Sequence, residues 1–205
     1  MIRVNLHNIF PTTVGIVDLD RPFTKKELDV CTNMEKRPNE GNETSTNYRV
    51  LELKELKKLK EFILASVSDY FDKIYCPTVK PEICITQSWL NYTSKGQFHH
   101  KHAHPNSFIS GVFYINADIK QDRIYFYREI YRQLKPSEPR EWNIYNSDSW
   151  WFETGTGKLM LFPSSLTHMV PRVEHDDTRI SLSFNTIFKG QFGDTNSLTE
   201  LILGE

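Results

Sequence analysis

The chain has 205 residues, a formal net charge of -1, 39% hydrophobic residues and 25% charged residues. A length of this order fits one domain spanning 1–205 that buries its own core without disulfide or metal staples. The near-zero charge excludes a general electrostatic pull toward nucleic acid or an anionic membrane surface, and no apolar run approaches the roughly 20 residues of a membrane helix.

The first residues, Met1-Ile2-Arg3-Val4-Asn5, lack the charged-then-apolar profile of a signal peptide. Cys31, Cys76 and Cys84 are odd in number and have no metal-type spacing. Cys84, inside an apolar run, is expected to be a small buried hydrophobe. A reducing, cytoplasmic setting is the expectation.

In chain order, residues 9–19 alternate weakly and predict a first strand pair around Pro11. Thr24, followed three residues on by Glu27, has the capping-box pattern that opens a short helix. The polar stretch 35–49 predicts a surface loop. Residues 54–75 predict the main helix, in which Leu56, Leu59, Phe62, Ile63, Val67, Tyr70, Phe71 and Ile74 recur at spacings of three and four. Lysines at 54–60 form its solvated face, and Pro77 and Pro81 close it. Such a stripe is a packing surface.

After Pro81 the period becomes that of strands. Segments 82–92, 108–116, 123–128, 158–162 and 179–188 are β-branched and aromatic, bounded by Gly, Pro, Asn and Ser. Residues 132–150, with Pro136 and Pro139, predict a long loop over one end, where Trp150 and Trp151 are expected as walls or lid, Trp151 more as core packing. Helices first and closely spaced strands after predict a barrel or jelly roll with bracing helices.

Four of the seven histidines fall in Phe98-His99-His100-Lys101-His102-Ala103-His104-Pro105. If this segment is extended, residues two apart share a face with Cα atoms about 6.5 Å apart, so two imidazoles can converge on one ion. His102 with His104 forms such a pair, and so does His100 with His102. The bland alternative is a solvated, histidine-rich loop. A useful site needs a third ligand, and His168, just past the apolar run Leu159-Met160-Leu161-Phe162, is the candidate; alone it would read as a satisfied core residue. His175 sits in a polar turn and is expected to be exposed. His7 has no partner.

Arg179 opens the alternating segment Arg179-Ile180-Ser181-Leu182-Ser183-Phe184-Asn185, so Arg179, Ser181 and Ser183 share a face. An inward arginine is costly to bury unless an anion meets it, and a guanidinium matches a carboxylate with paired donors. A surface ion pair with Asp176 or Asp177 is the alternative.

These residues carry a resemblance. Trp89-Leu90-Asn91, His102-Ala103-His104-Pro105-Asn106-Ser107, Ser110-Gly111-Val112-Phe113-Tyr114, Phe162-Pro163 followed by His168, and the segment Arg179 to Asn185 occur in that order. Together they resemble the iron(II)/2-oxoglutarate-dependent oxygenases, in particular the prolyl-hydroxylase-like branch. The resemblance covers about half the chain. It implies a double-stranded β-helix with the main helix packed outside the larger sheet. It also implies Fe(II) as cofactor, 2-oxoglutarate and O2 as co-substrates, and hydroxylation of an unknown small-molecule or protein substrate, a prolyl residue among them.

Position by position, His102 matches the first metal ligand and His168 the last. Arg179 and Ser181 match the grip on the distal carboxylate of 2-oxoglutarate, and Tyr114 and Tyr92 match pocket tyrosines. One position departs: where the family has Asp or Glu, this chain has His104. Either His104 is the third ligand or a carboxylate arrives from elsewhere, with Asp118 and Asp122 nearby. Three neutral imidazoles would leave the iron site one unit more positive than two imidazoles and a carboxylate. The competing reading is a cupin-type β-barrel that holds Zn or Ni through three histidines without oxygenase activity; it leaves Arg179 and Ser181 unexplained.

Overall fold

The computed structural model describes residues 4–129, 133 and 137–204. Pro136 and part of the 132–150 loop lie outside them. The elements are β1 (Gly15–Asp18), α1 (Lys25–Asn33), β2 (Lys36–Pro38), β3 (Glu43–Ser45), α2 (Lys57–Tyr75), β4 (Glu82–Thr93), β5 (His99–His102), β6 (Ile109–Asn116), β7 (Arg123–Tyr127), β8 (Ser149–Glu153), β9 (Lys158–Pro163), β10 (His168–Val170), β11 (Arg179–Phe192) and β12 (Leu201–Leu203).

The larger sheet runs β1-β9-β6-β11-β4-β3-β2, with β12 on the far end of β11; the smaller runs β5-β10-β7-β8. From β4 to β11 the chain crosses between the two sheets, placing β4, β6, β9 and β11 in one and β5, β7, β8 and β10 in the other. This winding is a double-stranded β-helix.

Strand alternation divides the larger sheet into two working faces. Its outer face carries Leu90, Phe113, Leu159, Leu161, Leu182 and Phe184, which meet Leu59, Ile63, Val67 and Phe71 of α2 in the main core. Burying each such side chain stabilises by about 1.5–3 kcal/mol. Its inner face carries Val112, Tyr114, Met160 and Phe162, which close on Ile124 and Phe126 of the smaller sheet in a second core. Gly111 on β6 is a required close approach: a Cβ there would collide with the Phe184 ring and lie 2.9 Å from Leu161 Cδ2.

Several expectations need correction. Residues 9–14 form no strand; only β1 does, pairing with β9 rather than with a neighbour around Pro11. The 35–49 stretch is no free loop, because β2 and β3 extend the larger sheet beyond β4 and bury Asn42, Thr44 and Ser45. Polar side chains misled there: Thr44 Oγ1 donates to Leu90 O at 2.9 Å, and Ser45 Oγ accepts from Leu90 N at 3.0 Å. The main helix begins at Lys57 after a separate 3-10 turn at Lys54–Leu56, and it ends on Cys76 in the left-handed conformation, before Pro77. Cys84 is half-buried, and the fully buried thiol is Cys31. The Thr24–Glu27 capping box is present as the sequence predicts. No helix among the described residues is long and apolar enough to cross a membrane.

Candidate metal centre

Two adjacent strands of the smaller sheet bring the histidines together. His102 on β5 pairs directly with His168 on β10, so both side chains leave the same face. His104 follows β5, and its backbone N–H donates to Ser164 O at 2.9 Å, which fastens it against the turn leading into β10. Ring centroids lie 4.4 Å apart for His102–His168, 4.8 Å for His102–His104 and 5.1 Å for His104–His168.

The donor chemistry fits a metal. His102 Nδ1 lies 2.8 Å from His100 O, and His168 Nδ1 lies 3.0 Å from Leu166 O. A carbonyl only accepts, so each Nδ1 carries the proton and each Nε2 keeps its lone pair. One ligand atom from each of His102, His104 and His168 falls within 4.8 Å of the others, a span that small ring rotations close around one ion. Burial, reinforced by the charge of neighbouring imidazoles, pushes His168 down to about 3 and His104 down to about 4; His102 also falls below its ordinary value, burial being the main cause. Three imidazoles held neutral are three ready ligands.

No carboxylate joins this cluster among the described residues. Asp122 is committed elsewhere: it accepts from the Asp118 backbone N–H at 2.8 Å and lies 3.2 Å from His175 Nε2. That pairing also corrects the expectation for His175, whose side chain is only 11% exposed. A second triple, His99, His100 and His102, lies within the same limit. It shares His102, whose single free nitrogen can serve only one ion.

Beside the histidines, β11 supplies a buried cation. Arg179 is 2% exposed, and neither its Nε nor its Nη1 has a hydrogen-bond partner. Its guanidinium carbon lies 5.8 Å from the Tyr114 ring centroid, on β6. The Tyr114 hydroxyl also lacks a partner at hydrogen-bond geometry, although the Thr154 hydroxyl is near enough to influence it, and burial pushes the phenol up to about 12. Ser181 lines the same cavity and is 2% exposed. Unpaired buried N–H donors around a cationic group are costly unless an anion satisfies them.

Two placements differ from the sequence expectation. Tyr92 is not in the pocket: its hydroxyl donates to Cys31 O at 2.7 Å in the outer core, since β4 alternates and Asn91 takes the inner side. Asn91 Nδ2 donates to Ser183 Oγ at 2.9 Å, and its Oδ1 is unpartnered. Trp151 is not core either; it is 44% exposed on the outer face of β8, with Arg123 over its ring. Trp150 continues the row His102–His168–Phe126–Trp150 across the smaller sheet, is 40% exposed and does not line the metal cavity. Asn91, His99 and Ser183 line the cavity without having been given a site role from sequence, although Ser183 falls on the face expected for Arg179 and Ser181. For Asn91, counting strand alternation from Trp89 was the available signal.

Residues 87–185 match the family of 2OG-Fe(II) oxygenases. No curated protein matches the sequence. Among solved structures, the fold is similar to an oxidoreductase of the 2OG-Fe(II) oxygenase family from Burkholderia pseudomallei, at 14% identity over 84% of this chain and 83% of that one, with a TM-score of 0.56. It is similar to HygX from Streptomyces hygroscopicus, solved with nickel, 2-oxoglutarate and hygromycin B, at 10% identity over 85% and 82%, TM-score 0.59. It is also similar to SnoN, the non-heme alpha-ketoglutarate-dependent epimerase of nogalamycin biosynthesis, at 10% identity over 90% and 80%, TM-score 0.63. At these identities the likeness concerns the fold. Over residues 87–185, just under half of its length, the chain carries the pattern of the 2OG-Fe(II) oxygenases.

Proposed function

We propose that the whole chain is one catalytic domain that couples the conversion of 2-oxoglutarate and O2 into succinate and CO2 to the hydroxylation of a second substrate. His102, His104 and His168 hold the iron. Arg179, with Ser181 and Tyr114 beside it, holds the distal carboxylate of 2-oxoglutarate. Bound iron supplies the oxygen activation. The protein supplies orientation and dryness. The Nδ1 bonds of His102 and His168 fix the ring faces, while Val112, Ile124 and Phe162 keep water out.

The observation that carries this reading is the buried, unpaired guanidinium of Arg179 in the same cavity as three converging imidazoles. A cupin-type metal barrel accounts for the histidines and gives the arginine no task. The free space among these side chains is about 20 Å³, room for an ion or one water, so a dicarboxylate enters only as wall side chains swing aside. Anaerobic calorimetric titration of the iron-loaded protein with 2-oxoglutarate tests the reading. Saturable, metal-dependent binding is expected, and a flat titration of fully iron-loaded protein would remove it. A prolyl substrate rests on the sequence resemblance alone.

A further inference from the structure

Next to the metal cavity lies a larger cleft of about 350 Å³, lined by Arg37, Asn39, Thr44, Tyr48, Gln87 and Trp89. Its volume falls in the range of small-molecule sites, roughly 300–1,000 Å³. The strand geometry joins the two spaces. Gln87, Trp89 and Asn91 are spaced by two along β4 and share its inner face. Gln87 lines the cleft, Asn91 the metal cavity, and Trp89 both. The Trp89 ring centroid lies 6.0 Å from that of His104.

The same connection runs across the strands. Arg37 pairs with Thr44, Thr44 with Asn91, Asn91 with Ser181, and Ser181 with Tyr114. Directly paired residues project from one face. Arg37 therefore stands in the row of Ser181 and Tyr114, three strand spacings or about 14 Å from Ser181. The β2–β3 hairpin thus forms a shelf that prolongs the inner face of the larger sheet past the metal cavity.

The shelf has a definite chemistry. Arg37 has no ion-pair partner among the described residues, and its guanidinium carbon sits 5.1 Å from the Tyr48 ring centroid. Thr44 and Asn39 are already engaged, the first with Leu90 O and the second with Asn42 Oδ1. Tyr48 is 44% exposed and offers an open aromatic surface. No acidic residue lines the cleft. A guanidinium without an ion-pair partner, in a cleft that two aromatic side chains also line, suits an anion attached to an apolar, flat body.

We infer that this cleft receives the second substrate, a small molecule bearing a carboxylate or phosphate group. Arg37 pairs with the anion, and Tyr48 and Trp89 pack against the body. The inference rests on the oxygenase reading, because Trp89 is where the cleft meets the metal cavity.

The test is calorimetric titration of the full-length, iron-loaded protein under anaerobic conditions, with 2-oxoglutarate saturating so that Arg179 is occupied. The probes are phenyl phosphate, benzoate and the neutral benzyl alcohol. At least one anionic probe should bind saturably and about tenfold or more tightly than benzyl alcohol. Whichever of the two binds tighter identifies the group as phosphate or carboxylate. Arg37→Ala should lose about tenfold in affinity for that probe while its thermal unfolding stays cooperative. Absence of binding by both anions, equal binding of benzyl alcohol, or an Arg37→Ala protein that binds like the parent would overturn the inference. The preceding 2-oxoglutarate titration separates the two proposals. Its failure removes the oxygenase reading whatever the probes do, whereas tight 2-oxoglutarate binding with Arg37-independent probes removes only the cleft.

Discussion

His102 and His168 are direct cross-strand partners, their ring centroids 4.4 Å apart, and each turns its Nδ1 toward a backbone carbonyl two residues earlier. This relationship decides the site, because it presents two unprotonated Nε2 atoms to one point, with His104 completing the set.

Metal content should follow that geometry. Alanine at His102, His104 or His168 should each remove most of the bound iron, whereas His7→Ala should retain it. Metal analysis of the purified variants measures this directly. A His168→Ala protein with full iron would contradict the ligand assignment.

The His104 position can be examined by exchanging ligand type. Since no carboxylate stands within the cluster among the described residues, His104→Asp should keep iron while His104→Ala loses it. Restoring a carboxylate removes one unit of positive charge from the site and should tighten iron retention against chelators. Wild-type metal content in both variants would mean that His104 is not a ligand.

Acid should destabilise the metal-free protein through the same residues. His168 is pushed down to about 3 and His104 to about 4, chiefly by burial, against roughly 6.5 for a free imidazole. Between those limits the unfolded chain binds protons that the folded chain refuses, so stability falls as pH drops from about 6.5 toward 4. The melting temperature of the metal-free protein should decline from pH 7 to pH 5, and less steeply in His168→Gln. Parallel profiles for the two proteins would contradict the shifted imidazoles.

The sequence revealed those parts of the protein whose signal is local. The capping box at Thr24, the stripe of α2 and the long strands β4, β6, β9 and β11 follow from spacing alone. The short strands β5 and β10 have only four and three residues, too few to show a period, yet they hold His102 and His168. Their pairing is a long-range fact, visible in sequence only as clustered histidines and a resemblance. Tyr92 was misplaced because a motif fixes neighbours and not faces; one step of alternation separates Asn91 inside from Tyr92 outside. The β2–β3 hairpin was hidden because its polar residues hydrogen-bond into β4 instead of facing solvent.

Packing gives a prediction independent of the site. Gly111 has Phe184 and Leu161 against its α-carbon, and an added Cβ would lie 2.7 Å from Phe184 Cε1. Gly111→Ala should therefore cost about 1–3 kcal/mol through overpacking. Urea unfolding measures it; a change under about 0.5 kcal/mol would show that the Phe184 ring shifts freely.

The most direct test of the central claim is the affinity of iron-loaded protein for 2-oxoglutarate, measured anaerobically in the parent, Arg179→Ala and Arg179→Lys. In the proposed reading, a two-pronged, charge-assisted contact between the buried guanidinium and a carboxylate would be worth roughly 1.5–3 kcal/mol. Arg179→Ala should thus weaken binding by about one to two orders of magnitude with iron content unchanged, and Arg179→Lys should restore only part of it. An Arg179→Ala protein that binds 2-oxoglutarate as tightly as the parent would contradict the account.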